Sequence, residues 1–231
     1  MDQPITYVFL ETCESTMDEA QKLWKTDAHP PTCIVTRTQT RGRGRHARSW
    51  DSTSHDLIFT HLIAVPSEDQ LRRVGIASMV AMCTTLHAEF GVEVRAKWPN
   101  DGYVAGKKLF GVLVEAGWGS RGFFEVSVGV GVNVDRRDAY ASLRDATDKP
   151  VDARHVISAW WRRVAHYLVC PPGELSSALH ALDMLLHQRV EVSARKTTGV
   201  VVGYTDGWQA VVELSTGERL VCDREELVLW K

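Results

Sequence analysis

Five arginines, Arg37, Arg41, Arg43, Arg45 and Arg48, fall within twelve residues; Gly42 and Gly44 separate the middle three and Trp50 closes the run. A guanidinium is a planar, permanently charged fork that matches carboxylate and phosphate. Glycines between such forks let the backbone approach a ligand and present N–H donors to it. The pattern predicts a loop that clamps an anion. Three further segments carry chemistry-bearing residues. In Lys97-Trp98-Pro99-Asn100-Asp101-Gly102 the proline ends a strand and leaves a lysine and a carboxylate at its tip, although the same residues also make an ordinary surface turn. Lys107 and Lys108 lead into the apolar stretch Leu109 to Glu115, which also reads as a hairpin with a solvated basic turn. Gly129-Val130-Gly131-Val132-Asn133 places glycines inside a strand, where they are destabilising unless a ligand or another backbone packs closely, the other reading being a bulge.

These residues need elements to hold them. Thr6 to Leu10 is rich in β-formers and predicts a first strand. Thr16-Met17-Asp18-Glu19 fits a capping box, so a helix is expected from Met17 to Lys25. Strands are expected at Cys33–Thr36 and Leu57–Val65, with the arginine loop between them. Apolar residues at helical spacing predict a helix over 69–90, stopped by Gly91. A strand over Val92–Trp98 precedes the proline turn. Leu109–Glu115 and Phe124–Val134 are expected as two further strands, paired with each other. Helices are expected over Arg154–Val169 and Leu175–Leu186. From Arg189 the pattern changes to short β segments at Val190–Val192, Gly199–Tyr204, Gln209–Leu214, Arg219–Cys222 and Leu227–Trp230. That spacing suggests a small barrel, with a boundary near residue 187.

With 231 residues and a net charge of −2, the chain lacks the general basicity of a nucleic-acid binder, so the arginine run is a local feature. Its five cysteines are odd in number and scattered, which fits reduced thiols in the cytoplasm better than a disulfide framework. No basic leader is evident in Met1 to Leu10, and no apolar run is long enough to span a bilayer. His29, His55, His61 and His87 show no metal-ligand spacing, and His46 lacks a catalytic partner. Trp160, Trp161, Tyr204 and Trp208 are expected to pack in cores.

In this order the segments resemble the biotin protein ligases. The family pattern runs Ser-Thr, Gly-Arg-Gly-Arg-x-x-Arg-x-Trp, Lys-Trp-Pro-Asn-Asp, Lys-Leu-x-Gly-x-Leu-x-Glu and Gly-x-Gly-x-Asn. The chain carries Ser15-Thr16, Gly42 to Trp50, Lys97 to Asp101, Lys108 to Glu115 and Gly129 to Asn133. The resemblance implies an α+β fold. Over 1–186 it would be a mixed β-sheet flanked by helices, of the class II aminoacyl-tRNA synthetase and biotinyl/lipoyl ligase kind; over 187–231, an SH3-like β barrel. It also implies a two-step reaction. Biotin and ATP, with Mg2+, give biotinyl-5′-AMP and pyrophosphate; biotin then passes to one lysine of a biotin carboxyl carrier domain.

Carried over residue by residue, the resemblance gives Arg43 the biotin carboxylate and then the adenylate phosphate. Arg45 helps to hold the intermediate, and Arg48 and Lys97 lie near phosphates. Lys108, preferred over Lys107 because it directly precedes Leu109, bonds the carboxyl and phosphate oxygens. Ser15, Thr16 and Gln39 bond the ureido ring; Gly42, Gly111 and Gly131 belong to the ligand-facing backbone. Trp50 stacks near adenine and Asn133 reaches the nucleotide. Asp101 receives the acceptor lysine or its proton, as a poorly nucleophilic ammonium requires. Magnesium ligands are not specified. Met17 stands where asparagine is common, Ala47 where glycine is, and Gly102 where leucine is. Met17 is the departure that bears on the biotin pocket, Ala47 stiffens the loop, and Gly102 is tolerated. The DNA-binding helix-turn-helix of some members has no counterpart in this sequence, so repressor function and DNA binding are not expected, and a monomer or homodimer is. The rival readings are a lipoate or octanoate ligase of the same superfamily and a non-catalytic nucleic-acid-binding module. Gln39 and the Ser-Thr pair would have no role with a plain fatty chain, and the near-neutral charge disfavours nucleic acid.

Overall fold

A computed structural model describes residues 4–26, 30–223 and 225–230; His29 lies outside them. Seven strands form a mixed sheet in the order β1-β2-β3-β7-β6-β5-β4. They are β1 (Thr6–Cys13), β2 (Thr32–Gln39), β3 (Leu57–Val65), β4 (Arg95–Lys97), β5 (Asp101–Val104), β6 (Lys107–Trp118) and β7 (Phe124–Val132). Only β1 and β2 run parallel.

Helices cover both faces. On one lies α1 (Thr16–Lys25), whose Trp24 donates its indole N–H to Ser127 Oγ on β7 at 3.0 Å. On the other lie α2 (Glu68–Phe90) and α4 (Ala153–Tyr167), with the short α3 (Leu143–Ala146) between them in the chain and α5 (Pro172–Leu182) after. Trp160 of α4 is fully buried against Phe59 of β3, edge to face, and its N–H reaches Ser78 O on α2 at 3.0 Å. Tryptophan is tolerated there because its one polar atom has a partner. Gly91 ends α2 with φ +74°, a left-handed conformation that glycine adopts without a Cβ penalty.

A second, antiparallel sheet follows in the order β11-β10-β9-β8-β12, from β8 (Arg189–Val192), β9 (Thr197–Tyr204), β10 (Ala210–Leu214), β11 (Arg219–Cys222) and β12 (Leu227–Leu229). All five expected short strands are therefore present. Trp208 is buried, and Tyr204 packs against the core with its hydroxyl on Asp183. One apolar core runs continuously through both sheets. No helix among the described residues is long and apolar enough to cross a membrane.

Three local expectations are corrected. Ser15, not Thr16, caps α1: its Oγ accepts from Met17 N at 3.3 Å, and the Thr16 hydroxyl is turned elsewhere. The strand expected over Val92–Trp98 is only three residues long, and Asp101 does not sit in the turn but opens β5. The two helices after residue 150 end earlier than expected, at Tyr167 and Leu182.

His61 on β3 is fully buried between Trp160 and Trp161, and neither ring nitrogen has a hydrogen-bond partner. Burial drives its pKa from 6.5 down to about 3. The fold therefore holds a neutral ring while the unfolded chain takes up a proton below 6.5. Stability tied to His61 is complete above pH 6.5 and falls steadily as the pH drops from 6.5 toward 3. His61→Leu is expected to flatten the stability profile across that window in urea melts, with little change at pH 8.

Candidate active site

The face of the first sheet that carries α1 has a bare strip at its centre. Gly111 on β6 lies opposite Gly131 on β7, and Gly129 lies opposite Leu113 one row along. Two side chains lean into the space. A Cβ on Gly131 would fall 2.4 Å from the Trp50 indole, and one on Gly111 would fall 3.1 Å from it. A Cβ on Gly129 would fall 2.8 Å from Met17 Sδ. The glycines thus hold large side chains against the sheet backbone, and the bulge reading is not needed. A cavity of about 500 Å3 opens over this trough.

The two ends of the cavity differ in chemistry. At the Met17 end, Gln39 Oε1 accepts from Thr16 N at 2.8 Å and from Thr16 Oγ1 at 3.1 Å, and Thr60 Oγ1 donates to Thr16 Oγ1 at 2.8 Å. Ser15 is fully buried beside them. Because Ser15 does the capping, Thr16 can join this network. At the Trp50 end, Lys108 Nζ lies 2.8 Å from Asp101 Oδ1 and 5.2 Å from the centre of the Trp50 ring. Lys107 also lines the cavity, with its ammonium on Asp138 O at 2.8 Å. Burial lowers the Lys97 pKa against the opposing pull of Asp101, and burial pushes the neighbouring Tyr103 up to about 12.

The arginine loop forms the rim, and its charges already have partners. Arg43 reaches Asp18 on α1 at 2.8 Å and Glu115 on β6 at 3.2 Å. Arg45 donates to Asn100 Oδ1 at 2.9 Å, and Asn100 is itself held by Val112 O at 3.0 Å. Arg48 forks onto Glu226, in the segment leading into β12, at 2.6 and 3.2 Å. That bond holds the Glu226 carboxyl below its usual range. His46 is exposed, as expected, and Ala47 takes φ +57°, a left-handed conformation that glycine would hold with less strain. Gly42 does not line the cavity. It makes room for its own loop, because a Cβ there would meet Trp50 O at 2.4 Å and Gln39 Nε2 at 2.7 Å. Gly102 is fitted to Phe110, whose ring would stand 2.0 Å from a Cβ at that position. The remaining expected residues, Lys97, Asn133 and Gly131, all line the cavity, with Asn133 Nδ2 on Lys108 O at 3.3 Å.

Sequence reasoning missed three residues. Asp56 is buried and accepts from Thr53 N and Val134 N, each at 2.8 Å, which fixes the chain after Trp50. It also pairs with Arg137, a lining residue that donates to Asp51 O at 2.9 Å. Glu226 also lines the cavity, as does Met17, which the sequence marked as a departure bearing on the pocket. Asp56 meets Arg137, and Arg48 meets Glu226, across long stretches of chain that no local pattern marks.

Residues 9–133 match the model of the biotin/lipoate A/B protein ligase family. The chain belongs to that family. Among curated relatives, the bifunctional ligase/repressor BirA of Bacillus spizizenii is 26% identical over 227 residues, covering 91% of this chain and 70% of that protein. The biotin–[acetyl-CoA-carboxylase] ligase of Paracoccus denitrificans is 28% identical over 125 residues, 52% of each. The fold matches that of the biotin protein ligase from Aquifex aeolicus in complex with biotin and ATP, with a TM-score of 0.82 over 97% of this chain and 99% of that one, at 24% identity. It also matches the Leishmania major biotin protein ligase in complex with biotinyl-5-AMP, with a TM-score of 0.69 over 96% of this chain and all of that one, at 19% identity. Within the family fold, the arginine loop is tied to the second sheet by the exposed Arg48–Glu226 pair.

Glu226→Gln is expected to lower global stability by less than about 1 kcal/mol, since exposed ion pairs contribute little. It should nevertheless speed tryptic cleavage after Arg48, because the loop loses its tether. Unchanged cleavage would show that the loop is held by its other contacts.

Proposed function

We propose that this chain activates biotin with ATP and transfers the biotinyl group to a lysine of a biotin carboxyl carrier domain. The observation that carries the reading is one cavity with a hydrogen-bonding end at Thr16 and Gln39 and an ionic end at Lys108 and Asp101. Biotin has this polarity, with a ureido ring at one end and a carboxylate at the other. The names of the relatives support the same substrate. Residues 1–186 serve as the catalytic domain and 187–231 as a second, SH3-like domain that holds the arginine loop through Glu226.

In the first step a biotin carboxylate oxygen attacks the α-phosphorus of ATP, and the bond to pyrophosphate breaks. Two anions must approach each other, so fixed cations in a water-poor site lower the barrier. Lys108 takes the carboxyl and phosphate oxygens. Arg43, Arg45 and Arg48 exchange their present partners for phosphate oxygens, and Lys97 adds charge from below. Trp50 offers its face to adenine, and Asn133 braces the strand that carries Lys108. Mg2+ would enter with the triphosphate. Of the three carboxylates lining the cavity, Asp101 and Glu226 are paired with Lys108 and Arg48, so Asp51, phosphate oxygens and water would hold the ion. Its contribution would be to neutralise phosphate charge. In the second step the acceptor amine attacks the acyl carbon, AMP leaves, and the amine proton passes to Asp101. That carboxylate is freed when Lys108 turns to the adenylate.

Incubation with ATP, Mg2+ and biotin, without a carrier, is expected to give biotinyl-5′-AMP detectable by mass. Lipoate and octanoate are expected to give none; either acid giving the only adenylate would transfer the reading to the rival substrate. Lys108→Ala should cut adenylate formation by about 10²–10³-fold, the usual effect of removing a donor to developing charge. Asp101→Ala should slow transfer to the carrier more than it slows adenylate formation, which single-turnover assays of each step would separate.

A further inference from the structure

We propose that Met17 and Gly129 act as a matched pair that sets the shape of the acid-binding end. This pair would restrict the site to a compact fused ring with one polar and one apolar edge. The inference rests on the ligase reading and adds to it a specificity determinant. Of the three trough glycines, Gly111 and Gly131 face Trp50, whereas Gly129 faces Met17 alone among large side chains: Sδ lies 2.8 Å and Cγ 3.2 Å from where its Cβ would be. The thioether therefore occupies the space of the missing side chain and lies on bare strand backbone.

Met17 has little freedom to withdraw. It is 3% exposed and sits in the first turn of α1, with its own N–H held by Ser15 Oγ. The residue before it is tied to Gln39 and Thr60. Thr60 lies directly opposite Gly129, so the hydroxyl network and the thioether stand side by side across one row of the sheet. A ligand ring entering here meets hydrogen-bonding groups on one edge and a soft, polarizable sulfur on the other. Biotin satisfies both, since its ureido ring is fused to a thioether ring. A saturated chain fills the apolar edge but leaves the polar groups unmatched.

Met17→Ala is expected to raise the KM for biotin roughly tenfold or more, the effect of lost apolar contact in a pocket, while kcat changes much less. Adenylate formation from lipoate or octanoate should rise relative to biotin. Gly129→Ala drives a methyl group into the thioether and should weaken biotin binding in titration calorimetry. Combining the two substitutions should restore part of that binding, because the methyl then fills space that Met17 has vacated. Such coupling is the signature of side chains in direct contact. Thermal melts of all variants report whether any of them fails to fold, and a double variant that binds better than Gly129→Ala establishes the pairing. Losses that simply add, or a Met17→Ala enzyme with unchanged KM and acid preference, would overturn the proposal while leaving biotin adenylation by the parent intact. If the parent protein forms no adenylate from any acid, the ligase reading falls and this inference with it.

Discussion

The organisation of this protein depends on leaving side chains out of the middle of a sheet. Gly129 and Gly131 sit on the central strand β7 and Gly111 on its neighbour β6, on the face toward α1. Glycine in a strand interior weakens the sheet through lost packing and higher unfolded-state entropy. Here the opposite face compensates. Phe110, Val112, Val128, Val130 and Val132 are buried within the main apolar core, and Trp160 closes that layer over Phe59. One face is packed, which keeps the strands paired, and the other is left open, which lets Trp50 and Met17 lie flat on backbone. The cavity exists because those two layers are built differently.

Charge in the site follows a similar economy. The arginine run looks in the sequence like an exposed cationic patch, yet Arg43, Arg45 and Arg48 are engaged with Asp18, Glu115, Asn100 and Glu226. Exposed pairs of this kind contribute about 0–1 kcal/mol each, so a phosphate or carboxylate can displace them at low cost. The pairs hold the loop at the rim of the cavity. They also offset the charge that would otherwise attract nucleic acid indiscriminately.

Much of this was legible before the structure. Helix α2 and its stop at Gly91, the β6–β7 hairpin and the five short C-terminal strands follow from periodicity and turn chemistry, which are local. The cavity lining was legible through motif resemblance, since Lys108, Asp101, Trp50, Thr16 and Gln39 do converge. What escaped was set by contacts between distant segments. Asp101 was read as a turn residue because Pro99 precedes it, but pairing with β6 draws it into β5. Thr16 was read as a cap because the capping-box pattern is satisfied there. The adjacent Ser15 takes the cap instead, since Gln39 and Thr60 compete for the Thr16 hydroxyl. No spacing rule joins Asp56 to Arg137 or Arg48 to Glu226.

Those distant contacts make the second sheet part of the site rather than an appendage. Trp98, whose neighbours Lys97 and Pro99 line the cavity, is buried and donates its indole N–H to Trp208 O in the second sheet at 2.8 Å. Arg48 on the opposite rim is fastened to Glu226, just ahead of β12 of the same sheet. The proline turn that carries Asn100 and leads into Asp101, and the loop that carries the arginines, are thus braced from one body. Asn100 closes the circuit by accepting from Arg45. A shift of the second sheet would move the floor lysine and the rim arginine together. Their separation is therefore set by the contact of Trp98 with Trp208 as much as by the loop itself.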